Sequence, residues 1–218
     1  MSDFDPIIKK ISDYVQTYQA KDESLQEAKT CFFDSVACAF MALGHDQVKK
    51  FIDIEYIKNS QGSVRVVGTD LKTNVLDATF LNGALIRWLD FNDTWLAKEW
   101  GHPSDNLAII LALVDYLKSH RSVSLNFKEV LNCMVMAHEI QGALAIENSL
   151  NKEGLDHVAL VKIASASVGA KMLGHNHHQI QAVISNAFID GQSLRTYRHF
   201  PNTGARKSWA AGLSLIHI

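Results

Sequence analysis

Proline is scarce in this chain of 218 residues: only Pro6, Pro103 and Pro201 occur. Helices therefore have room to run, because proline removes a backbone donor and clashes with the turn before it. Cysteine is equally sparse. Three residues, with no CxxC pair and no clustered spacing, argue against a disulfide scaffold and weaken zinc and iron–sulfur readings. Cys31 and Cys38 are seven apart in one apolar helical pattern and are expected to share a core-facing side; Cys133 falls in another apolar helix. A reduced, cytoplasmic compartment fits this usage. No charge sign dominates either. With 21 Lys and Arg against 23 Asp and Glu, the net charge of -2 gives no general case for nucleic acid or an anionic membrane surface. The longest apolar run is too short for a membrane span, and no apolar stretch near Met1 reads as a secretory signal.

What is present is apolar sequence with a helical period. Apolar residues make up 47%, enough for a sizeable core. The period predicts helices near 6–19, 24–43, 75–90, 104–119, 127–149, 157–173 and 177–190. Asn126 with Glu129, and Asn176 with Gln179, have capping-box spacing; Asp156 can cap a helix that Gly174 closes. One stretch, SVRVVG at 63–68, alternates like a strand. The expectation is a mostly α-helical domain over 1–212, with helices such as NLAIILALVDYL at its centre. The last six residues, LSLIHI, continue neither pattern. One back-translation reads like a transposase adapter from sequencing libraries, so 213–218 is expected to be a non-native tail.

Two segments stand out chemically. Residues 191–212 carry Arg195, Arg198, His199, Arg206 and Lys207 without a single acid. This is either a solvated basic loop or a site for carboxylate or phosphate ligands. The stretch RWLDFNDTWLAKEWGHPSDN, 87–106, joins tryptophans, acids and a histidine to apolar helices. If the helix from 75 continues through it, Arg87, Asp90 and Asp93 or Thr94 form one polar stripe. That stripe reads equally as a solvent-facing ion-pair row. His102 precedes Pro103, which suits the first position of a buried helix, where the dipole favours anions and disfavours imidazolium. His157 repeats the arrangement after Asp156. A neutral imidazole beside a bound anion can act as a base. His138 begins like a zinc-protease motif, but Gly142 stands where the second ligand belongs. His175, His177 and His178 are accounted for by the local capping pattern. No P-loop, GxGxxG or GxSxG occurs.

Three passages carry a resemblance: IRWLDFNDTWLAKEWGHPSDN, AHEIQGALAIENSLNKEGLDHVALVKIASAS and DGQSLRTYRHFPNTGARKSWAAG, supported by DPIIKKISDYV and DSVACAF. Over about residues 3 to 212 the chain resembles the MmgE/PrpD family, which includes 2-methylcitrate dehydratases and cis-aconitate decarboxylase. The resemblance implies a large all-helical domain followed by a smaller α/β domain, a homodimer, and a tricarboxylate substrate. It implies metal-free loss of water from 2-methylcitrate to 2-methyl-cis-aconitate in propionate catabolism, the methylcitrate cycle, with no cofactor. By motif, family site positions fall on Asp90, Thr94, His102, His157 and Lys207, with Arg195, Arg198 and Arg206 as carboxylate-binding candidates. The decarboxylases have a shorter segment where WLAKEWG stands here. Family chains are also much longer, so this chain is expected to be truncated, lacking the α/β domain, and inactive and aggregation-prone alone. The alternatives are a cis-aconitate decarboxylase-like lyase and a non-enzymatic helical module that binds polyanions.

Overall fold

In the computed structural model of the chain, residues 3–189, 191, 194–198 and 212 are described. Arg206, Lys207, His199, the side chain of Arg198 and the 213–218 tail lie outside them. Helix starts follow from cap chemistry. Asp5 accepts from the Ile7 amide and Pro6 takes the first position of α1 (Pro6–Thr17). Asn74 accepts from Leu76 and Asp77 to open α5 (Val75–Arg87). Asn126 and Glu129 form the expected reciprocal box at α7 (Phe127–Glu147). Asn176 and Gln179 do the same ahead of α9 (His177–Ile189). Asp156 accepts from Val158 at the start of α8 (Val158–Met172), and Gly174 follows its end at φ 76°. The remaining long helices are α2 (Asp22–Ala42) and α6 (Leu107–Arg121), the latter entered through a 3-10 turn over Pro103–Asn106.

The core is α8. Every residue from Val158 to Ala170 is buried, which requires partners all round. It packs on α7, α9, α6 and α1, while α5 pairs with α6 and α2 spans α5 and α7. Alanines, serines and one glycine in VALVKIASASVGAKM let these neighbours approach closely. Large side chains such as Leu81, Ile110, Met134 and Ile184 fill the layers between. Each such burial contributes about 1.5–3 kcal/mol. His177 Nε2 lies 2.8 Å from Asp13 Oδ1 and 2.9 Å from Ser12 Oγ, tying α9 to α1.

Four features differ from the sequence expectation. The helix from 75 stops at Arg87, and Asp90 takes φ 61°, a left-handed geometry that ends any continuous stripe to Asp93 and Thr94. The strand at 63–68 shrinks to β1 (Val64–Arg65), paired antiparallel with β2 (Lys72–Thr73). Short helices α3 (Asp46–Ile52) and α4 (Glu55–Asn59) occupy a stretch with no clear period. A second hairpin, β3 (Trp95–Leu96) with β4 (Trp100–Gly101), forms within the segment before His102. Among the described residues no helix is long and apolar enough to cross a membrane.

Candidate active site

The turn after α5 is built around a buried cation. Arg87 is 2% exposed, so it does not belong to a solvent-facing row. Its guanidinium contacts the Asp90 carboxylate, lies 3.4 Å from Asn92 Oδ1, and places Nε 3.8 Å from Asp105 Oδ2. Asn92 in turn donates to Ser104 Oγ at 2.9 Å and to Asp105 Oδ1 at 3.1 Å. This network fastens the turn to the start of α6. The amide of Ser104 donates to Asp93 Oδ1 at 3.0 Å, adding a second fastening.

His102 hangs from that frame. Its Nδ1 lies 2.7 Å from the Asp93 carbonyl oxygen. A carbonyl only accepts, so Nδ1 carries the proton and Nε2 keeps its lone pair in the neutral ring. Nε2 faces Asp90 Oδ1 at 3.9 Å. Burial, and then the Arg87 charge, hold the imidazole below its ordinary value, against the opposing pull of the Asp93 carbonyl and the Asp90 and Asp93 carboxylates. His102 is therefore an unprotonated base near neutrality.

His157 caps α8 and is fully buried. Asp156 Oδ1 lies 3.3 Å from its Nδ1. The two imidazole centroids, His102 and His157, are 6.1 Å apart. Trp100 fills the corner between them, 4.3 Å from the His157 ring and 6.1 Å from that of His102. The Arg195 guanidinium sits 5.5 Å from the centroid of the same indole, a cation–π distance. Gly101 is a tight point: a side chain there would meet Gln141 Nε2 at 2.9 Å and His157 Cδ2 at 3.6 Å.

The β3–β4 hairpin that carries Trp100 is latched to α7. The Glu99 amide donates to the Ala145 carbonyl at 2.9 Å, and Lys98 Nζ donates to the Glu147 carbonyl at 3.1 Å. The buried Glu99 carboxylate accepts from the amides of Asn151, at 2.8 Å, and Trp100, at 3.2 Å. Trp95 lies over Gly142 of α7, where a Cβ would stand 2.7 Å from the ring. Behind the histidines, Ser165 Oγ donates to Asn106 Oδ1 at 2.6 Å, and Asn106 Nδ2 donates to Gln141 Oε1 at 2.8 Å. These bonds fix α8, the 3-10 turn and α7 relative to one another.

Asp90, His102 and His157 are thus brought together, with Arg195 over Trp100. Thr94 is exposed, and among the described residues no hydrogen bond joins it to that group. Lys207, Arg206 and the Arg198 side chain fall outside the described residues. Arg87 in its buried role, Trp100, Gln141 and the 3%-exposed Lys162 of α8 were not singled out from sequence. Lys162 had a signal, being a charged residue in the first half of a helix whose neighbours there are apolar. Trp100 had none, because its position depends on a hairpin with no strand pattern.

The MmgE/PrpD N-terminal domain matches residues 9–215. The 2-methylcitrate dehydratase of Escherichia coli is 50% identical over 216 residues, which cover 96% of this chain and 45% of that one. The probable 2-methylcitrate dehydratase of Saccharomyces cerevisiae is 48% identical, over 95% of this chain and 42% of its own. The 2-methylcitrate dehydratase-like protein oryR of Aspergillus oryzae is 36% identical, with 99% and 46% covered. The chain spans under half the length of these curated relatives. With its described residues mostly helical and the family's N-terminal domain matched over residues 9–215, the chain belongs to the MmgE/PrpD family.

Proposed function

We propose that the protein is a hydro-lyase that removes water from 2-methylcitrate to give 2-methyl-cis-aconitate. The observation that carries this reading is the convergence of His102, His157 and Asp90 in a chain similar along its length to 2-methylcitrate dehydratases. The substrate presents a C–H next to a carboxylate and a hydroxyl on the neighbouring carbon. His102 Nε2 takes the proton, since its other nitrogen is committed to the Asp93 carbonyl and its burial keeps it neutral. As the C–O bond breaks, the departing hydroxide receives a proton from His157, whose Nδ1 lies 3.3 Å from the Asp156 carboxylate. Asp90 orients the substrate hydroxyl or His102, and the exposed Thr94 hydroxyl is a donor for the bound substrate rather than for the protein. Arg195, Arg198, Arg206 and Lys207 hold the carboxylates, where the planar Arg fork suits paired contacts. Trp100, with Arg195 over its ring, stands against His157 and would border the bound substrate.

The segment WLAKEWG favours dehydration over decarboxylation. It forms the hairpin that seats Trp100 on His157, and the decarboxylases of the family are shorter at this point. The assembled enzyme is a cytoplasmic homodimer. Three unpaired cysteines suit a reducing compartment, and exposed Phe33, Phe40 and Met41 on α2 suit coverage by other protein. The test is direct. Intact protein incubated with 2-methylcitrate should produce the conjugated alkene, followed by ultraviolet absorbance, without release of carbon dioxide. Carbon dioxide from cis-aconitate with no dehydration would transfer the assignment to a decarboxylase. No turnover of either substrate would leave a polyanion-binding module.

A further inference from the structure

A second cluster lies on the other side of Asp93. Cys31 from α2, His138 from α7 and Asp93 from the turn after α5 place one ligand-type atom each within 4.8 Å of one another. His138 Nε2 is 3.2 Å from Asp93 Oδ2 and 3.7 Å from Cys31 Sγ. Two chemistries use a thiol, an imidazole and a carboxylate. In a nucleophilic relay the thiol and the carboxylate sit on opposite ring nitrogens, so that one orients and the other is activated. Here both sit on Nε2, and Nδ1 is taken by the Met134 carbonyl at 2.9 Å. That is the arrangement of a metal-ligating histidine: the backbone carbonyl fixes the Nδ1–H tautomer and aims the Nε2 lone pair. The separations also suit it. Tetrahedral bonds of about 2.0–2.3 Å put neighbouring ligand atoms about 3.3–3.8 Å apart.

We propose that Cys31, Asp93 and His138 bind a zinc-class divalent cation that clamps α2, α7 and the turn holding His102. The mixed sulfur, nitrogen and oxygen set suits zinc better than magnesium or calcium, which prefer oxygen alone. The cluster opens into a cavity of about 420 Å³, which gives an entry path and room for water. Glu27 lines that cavity one helical turn before Cys31. Binding requires the Cys31 thiolate and neutral His138, so it releases protons. The clamp connects to the catalytic group through Asp93, whose carboxylate would ligate the ion while its carbonyl holds His102.

Cobalt(II) titrated into EDTA-treated intact protein reads the site without any activity assay, so the outcome is independent of the dehydratase reading. A single equivalent should give a near-ultraviolet thiolate-to-cobalt band that zinc abolishes. Cys31→Ser should remove the band and weaken zinc binding about tenfold or more. In the unmutated protein, zinc should slow alkylation of Cys31 by iodoacetamide and EDTA should restore it, while Cys38 and Cys133 stay unaffected. This labelling arm holds even if Cys31→Ser fails to fold. No cobalt binding, a band that survives Cys31→Ser, or Cys31 labelling indifferent to zinc would each overturn the proposal.

Discussion

His102 illustrates how a single residue acquires the chemistry of its proposed role from three local facts. Its ring is pinned by the Asp93 carbonyl, its charged form is disfavoured by burial, and the nearby Arg87 charge disfavours it further. The sequence position, one residue before Pro103 at a helix start, already signals a histidine kept neutral. Arg87 is not legible this way, because only the fold shows that its partners are buried. The sign of the pH effect follows. A histidine held below 6.5 stays unprotonated at neutral pH, and the base is lost only as pH falls through the depressed value. For EDTA-treated intact enzyme, kcat/KM should therefore show an acid limb with its midpoint below 6.5. Arg87→Gln should move that midpoint upward by removing the opposing charge. An acid limb above 6.5 in the unmutated enzyme would contradict this assignment.

At the scale of elements, the long helices were legible because period and caps agree. Asn126 with Glu129 and Asn176 with Gln179 mark starts that the structure places at those residues. What was not legible is the geometry between helices. Asp90 at φ 61° breaks the predicted stripe, and the β3–β4 hairpin has only two residues per strand, too few for an alternation to show. Its position is set instead by long-range bonds to α7 and by the seat for Trp95 at Gly142. Gly142 is thus better understood as an absent side chain than as a missing metal ligand. Gly142→Ala gains about 1 kcal/mol of helix propensity but forces the indole aside, at about 1–3 kcal/mol. The net result should be a lower Tm, with altered tryptophan fluorescence and reduced turnover. An unchanged Tm with unchanged fluorescence would show that Trp95 does not rest on α7.

For the whole molecule, polar groups inside the bundle do the joining that loops do elsewhere. His138 and Asp93 link α7 to the turn that bears His102, as Arg87 and Asp105 link that turn to α6. Burial by itself would lower His138, but the hydrogen bond and charge of Asp93, with Cys31 beside it, push it up to about 10. Burial would likewise raise Asp93, yet the bond and charge of His138 and the bonds from Ser104 hold it below its ordinary value. A raised histidine contributes stability that is complete below 6.5 and disappears as pH climbs through about 10. In metal-free protein, urea unfolding should show His138→Gln less stable at pH 7 by up to a few kcal/mol. That gap should close on approach to pH 10. A gap that is constant with pH would mean the pair is not charged.

The central claim is that His102 and His157, remote in sequence, serve one reacting centre. It is tested most directly by steady-state dehydration of 2-methylcitrate by intact enzyme carrying His102→Ala or His157→Ala. Each variant, folded as judged by circular dichroism, should lose about a hundredfold or more in kcat. Near-normal turnover in either one would contradict the account.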